Sequence, residues 1–281
     1  MSLVSMDVLL REARGQGYAV GAFTVWGLAS IQAVIAAAEE LNQPVILQNG
    51  PLELNWAGAR PLALLMRDAA QHAKIPAAVH LDHGNNLELV KRCMELGYTS
   101  VMLDASHLPF DRNVAAMREV VQAAHAGGVA VEGELGRIGG EEAGMNVNEG
   151  DAHLTDPEEA AEYVKQTGVD ALAVGIGTVH GFYKSRPNIR LDLLKRIAEK
   201  VSIPLVLHGG SGTPDEIVRE AISLGIAKIN ICTELVAAYN DTMVRQQTDE
   251  DFRYHVPGIF TKPRTAAAEL VKKKIRLFAG L

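Results

Sequence analysis

Only two cysteines, Cys93 and Cys232, occur in the 281 residues, too few for a disulfide framework. No apolar run is long enough to span a bilayer, and nothing at the amino terminus reads as a charged segment followed by an apolar signal core. These absences lead to the expectation of a cytoplasmic protein with no membrane partner. Basic residues are outnumbered, 27 against 34 acidic, for a net charge of -7, which gives no overall attraction to nucleic acid or anionic lipid. The one dense basic run, Lys272-Lys273-Lys274, falls within a helical pattern and reads as a solvated face. Also missing is a glycine-rich dinucleotide fingerprint after the first strand, which counts against a doubly wound open sheet.

What is present is ordinary for a globular chain, 48% hydrophobic and 22% charged, enough for a sizeable core. From Ala19 onward short β-rich runs alternate with helical patterns, the signature of repeated βα units. Eight strands are expected, near 19–23, 44–48, 77–81, 100–104, 129–134, 171–175, 205–208 and 227–231. Helical patterns run from Leu28 to Leu41, Leu87 to Leu96, Asp111 to Ala126, Pro157 to Gln166 and Pro214 to Leu224. Eight such units close most naturally into a (β/α)8 TIM barrel. We therefore expect one domain over residues 1–281, with 240–281 as an appended carboxyl-terminal tail carrying a helix from roughly Arg264 to Phe278. Two connections, Gly136 to Asp156 and Gly177 to Arg190, are long and polar, as loops at the functional face of a barrel often are.

Chemistry gathers at the strand ends. His83, His180 and His208 follow the third, sixth and seventh expected strands, so a closed barrel brings three distant imidazoles toward one axis. Three histidines with an open fourth position suit a catalytic zinc. Glu134 lies at the end of the fifth strand, and Glu132 alternates onto the same side; a bound cation or an ion pair with Arg137 would answer their charge. Asp82 directly precedes His83 and can serve as a proton shuttle or as a partner orienting an imidazole. Gly209-Gly210-Ser211-Gly212 precedes a helix, a backbone arrangement suited to anions, and Asn230 and Thr233 at the eighth strand end can complete a phosphate pocket.

These stretches resemble a known family. His80-Leu81-Asp82-His83-Gly84, Ser100 to Phe110, Glu132-Gly133-Glu134-Leu135-Gly136, Gly139-Gly140-Glu141-Glu142, Gly177-Thr178-Val179-His180-Gly181 and Leu207-His208-Gly209-Gly210-Ser211-Gly212 are similar, in order, to the class II zinc-dependent ketose-bisphosphate aldolases. The resemblance covers nearly the whole chain. It implies zinc held by His83, His180 and His208, with Glu134 serving an alternative metal position, and a monovalent cation, Na+ or K+, nearby. It implies Asp82 as the proton carrier for the aldehyde half and Glu142 as the base for the carbon acid of dihydroxyacetone phosphate. Gly181, Gly209, Ser211, Asn230 and Thr233 match phosphate and ketone-half contacts, with Lys184 adding charge there. The implied substrate is a phosphorylated sugar and the implied assembly a homo-oligomer, dimer or tetramer, with the tail helix at the contact.

The departures from the family pattern fall on the aldehyde side. Where the family carries a small hydroxyl residue at the end of strand two, this chain has Gln48-Asn49-Gly50-Pro51; where strand one commonly ends in asparagine, it has Phe23-Thr24-Val25-Trp26. Asn49 and Trp26 are thus candidates for the aldehyde side, Trp26 alternatively packing on a helix. Some relatives place a basic residue in the tail beyond the position corresponding to Leu281, and Arg253 or Arg264 would have to compensate. Two rival readings are a metal-dependent barrel hydrolase, which usually carries a histidine pair on its first strand, and a non-catalytic barrel subunit stabilising a partner aldolase.

Overall fold

The structure is a computed structural model, and it describes residues 2–142, 145–147, 153–183, 187–246 and 255–281, the side chains of 141–142 and 145–147 excepted. Eight strands form a closed parallel barrel: β1 (Val20–Thr24), β2 (Val45–Asn49), β3 (Ala77–Gly84), β4 (Ser100–Leu103), β5 (Ala130–Leu135), β8 (Ala171–Val174), β10 (Leu205–Leu207) and β11 (Ile226–Ile231). All eight fall where the alternating pattern places them, because strands buried on both faces are short, near-continuous apolar runs whose length and turn-forming flanks set them apart from the longer helical patterns. Around them lie α2 (Leu28–Leu41), α3 (Pro51–Ala57), α4 (Ala59–His72), α5 (Leu87–Glu95), α6 (Phe110–Ala126), α7 (Pro157–Thr167), α8 (Leu191–Lys200), α9 (Asp215–Ser223) and α10 (Thr233–Gln246).

Alternation along each strand divides the core in two. Outward residues such as Val45, Leu47, Val79 and Val101 pack under the helices. Inward residues at the amino end are small: Ala22, Ala78, Ala130, Ala171, Ala173 and Ala227. A barrel lined by alanine leaves a hole, and α1 (Met6–Gln16) fills it by burying Met6, Leu9, Leu10 and Ala13 against them. Arg14 fixes this plug by donating to the carbonyls of Val201 and Ile203. The barrel floor is thus shut.

The tail is built into the outer ring. The polar stretch expected from Asn240 begins inside α10, and the last helix, α11 (Val256–Ala279), starts eight residues earlier than Arg264. Its Phe278 carbonyl accepts from Ala19 N at 3.0 Å and its apolar side packs on α2, α10 and β1. The two long connections supply a small second sheet at the mouth: β6 (Gly139–Glu142) pairs antiparallel with β7 (Met145–Val147) and parallel with β9 (Val179–His180). None of the helices is long and apolar enough to cross a membrane among the described residues.

Candidate active site

The run Leu81-Asp82-His83-Gly84 sets the geometry. In a regular strand Asp82 and His83 would point to opposite faces, yet both are buried toward the barrel interior. A break in register between Leu81 and Gly84 against β4, with His83 in the left-handed region at φ 46°, turns the chain so that both side chains face the same way. Bulges of this kind re-aim side chains beside active sites. Gly84 makes the turn possible, since a Cβ there would sit 2.4 Å from the Met102 carbonyl oxygen.

Three imidazoles meet at the mouth. The His83 ring lies with its centroid 4.7 Å from that of His208 and 5.1 Å from that of His180. Their donor nitrogens lie within 4.8 Å of one another. His83 Nδ1 is 3.0 Å from Asp104 Oδ2, which leaves Nε2 facing inward. His208 is turned the other way: Nε2 is 2.8 Å from Glu132 Oε1, and Nδ1 faces His83 Nε2 at 3.0 Å. Two rings each held by a carboxylate through the nitrogen that faces away from the cluster is the usual environment of metal-bound histidine. Two further groups, His83-Asp104-Glu134 and His80-Asp82-Glu132, also bring donor atoms together. Within the first, Glu134 Oε2 is buried with no described hydrogen-bond donor.

Electrostatics agree that the cluster suits a cation. Burial, then Asp104, pushes the Glu134 carboxyl well above its ordinary range. Burial opposes charge on His83, but Asp82, Asp104 and Glu134 outweigh it and raise its proton affinity well above normal. His180 is driven well below the usual imidazole range by burial and by His83 and His208. Asp82 is opposed by burial, yet His83, His208 and Lys228 keep its carboxyl below the usual value.

Asp82 is gripped from two sides: Gln48 Nε2 donates to Oδ2 at 2.9 Å and Asn230 Nδ2 donates to Oδ1 at 3.1 Å. Asn230 therefore stands beside the carboxylate as well as near the glycine turn. Gly209 and Ser211 follow His208, and Ser211 Oγ accepts from Glu234 N at 3.2 Å, bringing Thr233 and the start of α10 to that turn. Gly181 (φ 86°) and Gly209 (φ 68°) both need left-handed backbone, and a Cβ on Gly209 would meet the Val179 carbonyl oxygen at 2.4 Å. The phosphate-loop candidates and the His180 loop are thus packed on each other.

Other expectations land differently. Asn49 does not reach the mouth: its side chain lies on the outer face of β2, accepting from the Tyr98 hydroxyl at 3.0 Å and facing Met66 Sδ at 2.9 Å. Gln48, one residue earlier, takes the inward place. Trp26 sets its ring edge-on to Tyr239 at 5.5 Å in an outer groove of about 500 Å³ lined also by Trp56, Phe260 and Arg264. Glu142 is the last residue of β6, two positions beyond Gly140, which pairs with His180; its side chain, Lys184 and Arg253 lie outside the described residues. Asp104, Gln48, Glu132 and Lys228 are the site residues to which the sequence reading gave no role or only a partial one.

Comparisons with known proteins show the family. The profile of the family described as "Fructose-bisphosphate aldolase class-II" matches residues 4–280. The chain is 43% identical over 303 aligned positions to a fructose-bisphosphate aldolase from Thermus caldophilus, covering 99% of each. It is 41% identical to the D-tagatose-1,6-bisphosphate aldolase subunit GatY of Klebsiella oxytoca, covering 98% of this chain and 96% of that one. To the sulfofructosephosphate aldolase of Alkalicoccus urumqiensis it is 38% identical, covering 100% and 98%. The crystal structure of the YdjI aldolase from Escherichia coli K12 superposes with a TM-score of 0.86 at 36% identity, covering 98% and 97% of the two chains. The chain belongs to the class II fructose-bisphosphate aldolase family, a generally metal-dependent group of carbon–carbon lyases, and is an aldolase.

Proposed function

We propose that the enzyme holds zinc through His83, His180 and His208 and cleaves a phosphorylated ketose reversibly into dihydroxyacetone phosphate and an aldehyde. The observation that carries this reading is the meeting of three imidazoles beside an Asp82 carboxylate already held by Gln48 and Asn230. All-imidazole donors match the preference of zinc, and bound zinc supplies Lewis acidity toward the ketone oxygen. Glu134 offers the alternative metal position with His83 and Asp104.

In the cleavage direction Asp82 takes the proton of the hydroxyl on carbon 4 as the bond to carbon 3 breaks, and the aldehyde forms. Its depressed proton affinity keeps it ionised and ready to accept,. Glu142 returns a proton to carbon 3. Gly181, Gly209, Ser211 and Thr233, with Lys184, bind the phosphate of the ketone half through backbone and hydroxyl donors; a Na+ or K+ ion bound there would add positive charge toward the phosphate. Asn230 orients Asp82 and reaches the ketone half.

The aldehyde half meets Gln48 and Thr24, whose Oγ1 lies 3.4 Å from Gln48 Nε2. Strand β2 is then followed by Gly50, which has no side chain to offer, and Arg264 is engaged by Gln32 in the outer groove. Neutral donors favour a ketose whose far end lacks phosphate, so we read the substrate as a ketose 1-phosphate more than a 1,6-bisphosphate. We place the enzyme in the cytoplasm as a homo-oligomer joined over the aromatic groove at Trp26, Trp56 and Phe260, where Trp56 is 74% exposed.

The test is a cleavage screen of ketose 1-phosphates and 1,6-bisphosphates with zinc present or chelated, scoring dihydroxyacetone phosphate. Zinc-dependent cleavage with preference for monophosphates is the expected result. Activity that persists in a metal-free His208→Ala variant would overturn the zinc site, and a strong bisphosphate preference would overturn the reading of the aldehyde half.

A further inference from the structure

Beneath the imidazoles lies a charged cluster to which the proposed proton transfers assign no step. Glu132 on β5 and Lys228 on β11 are both 0% exposed, and Lys228 Nζ lies 2.9 Å from Glu132 Oε2. The other oxygen, Oε1, is the atom 2.8 Å from His208 Nε2. His80 flanks the pair, with Nε2 at 3.6 Å from Oε2 and Nδ1 at 2.9 Å from Ser100 Oγ.

An imidazole has two nitrogens, and only the one without a proton can hold a metal. A carboxylate accepts hydrogen bonds and cannot donate them, so a proton on His208 belongs on Nε2, toward Glu132. Nδ1 is then left bare, facing His83 Nε2 at 3.0 Å and Glu134 Oε2 at 3.8 Å. The counterpart of Glu132 at His83 is Asp104, but that carboxylate is partly exposed and can draw on water. Glu132 cannot, and a lone buried carboxylate is costly unless paired. Its pairing comes from the chain itself.

We propose that Glu132 is the positioning residue of His208 and that Lys228 is its permanent internal counter-ion. This rests on the reading of His208 as a metal ligand. The relay runs across the barrel, from Lys228 on β11 through Glu132 on β5 to the ring that follows β10, so it is fixed by strand register and not by a mobile loop. It also answers the third donor group, His80-Asp82-Glu132: an ammonium supplies the positive charge there, and a divalent ion would have to sit against it. Orienting partners of metal-bound histidines commonly change metal affinity by about 10–100-fold when removed.

The experiment compares the wild type, Glu132→Gln and the double variant Glu132→Gln/Lys228→Met, each loaded with zinc. Three quantities are read: zinc release to a chelator, kcat and KM of cleavage, and the thermal stability of the metal-free protein. Nitrogen-15 histidine spectra of the zinc-loaded wild type add the identity of the coordinating nitrogen. The expected result is coordination of His208 through Nδ1 with the proton on Nε2. Zinc release is expected to be roughly 10–100-fold faster in both variants, with kcat falling more than KM changes. Neutralising both charges at once should return metal-free stability toward the wild type without slowing zinc release. Coordination through Nε2 overturns the inference, as does release at the wild-type rate from the folded double variant. A wild type that takes up no zinc overturns the underlying metal reading instead, so the two failures are distinct.

Discussion

Gln48 and Asp82, on neighbouring strands β2 and β3, face one another inside the barrel, the amide donating to the carboxylate at 2.9 Å. The contact holds the proposed proton carrier in one orientation toward the aldehyde half. A hydrogen bond to a charged group is worth about 1.5–3 kcal/mol, so Gln48→Leu should lower kcat/KM for cleavage by about 10–100-fold. Proton exchange on dihydroxyacetone phosphate alone, the step proposed for Glu142 and not for Asp82, should change little. Equal losses in both assays would show that Gln48 acts on the whole site.

Asn49 predicts the opposite behaviour. It accepts from the buried Tyr98 hydroxyl, and Asn49→Ala would leave that hydroxyl unsatisfied, at a cost of about 1–3 kcal/mol. Chemical denaturation should show this loss, while kcat and KM stay close to wild type. A selective rise in KM for the aldehyde in the condensation direction would return Asn49 to the substrate.

Gly84→Ala tests the bulge. The added methyl would lie 2.4 Å from the Met102 carbonyl oxygen and 2.9 Å from Leu81 Cδ2, and overpacking of this kind costs about 1–3 kcal/mol. Because the strain falls next to His83, zinc retention should fall together with melting temperature. Normal values of both would mean that the turn does not need glycine.

The buried His80 gives a pH dependence. Burial first, then Lys228, lowers its proton affinity to a pKa of about 3 in the fold, from 6.5 when exposed. Between those values the unfolded chain binds a proton that the native state refuses, so stability of the metal-free protein falls as pH drops from about 6.5 toward 3. One proton corresponds to at most about 1.4 kcal/mol per pH unit. Urea unfolding across this range should show a shallower slope in His80→Gln, and an unchanged slope would assign the effect to other groups.

The aromatic groove predicts an assembly. Trp56 stands 74% exposed beside the exposed Phe260 and Leu28, and clustered exposed apolar side chains are a common feature of interaction surfaces. Light scattering should find the wild type oligomeric and Trp56→Asp dissociated, with its fold intact by circular dichroism. A monomeric wild type would leave this groove to another partner.

Much of this architecture is legible in the sequence, for physical reasons. Strands buried on both faces announce themselves as apolar runs, and His83, Glu134 and His208 interrupt or end such runs where only a buried function repays the cost. Other features are hidden because they depend on partners far along the chain. Lys228 lies two positions before Asn230 in a strand, so period two places both inward; its purpose appears only when β5 brings Glu132 beside it. Gln48 and Asn49 differ by one residue, and a reading of which one faces inward requires the register of β2 against β3. The floor helix α1 carries no chemical motif, and the alanines it seals lie on five different strands.

The turn at Asp82-His83 has a consequence for how such an enzyme can diversify. The proposed metal ligand and proton carrier are consecutive residues on one kink, so their spacing is fixed by the backbone and does not have to be rediscovered when the substrate changes. Thr24 at the end of β1, and Gln48 and Gly50 at the end of β2, sit outside that kink. New aldehydes can be accommodated there by substitution that leaves the Asp82-His83 turn itself untouched.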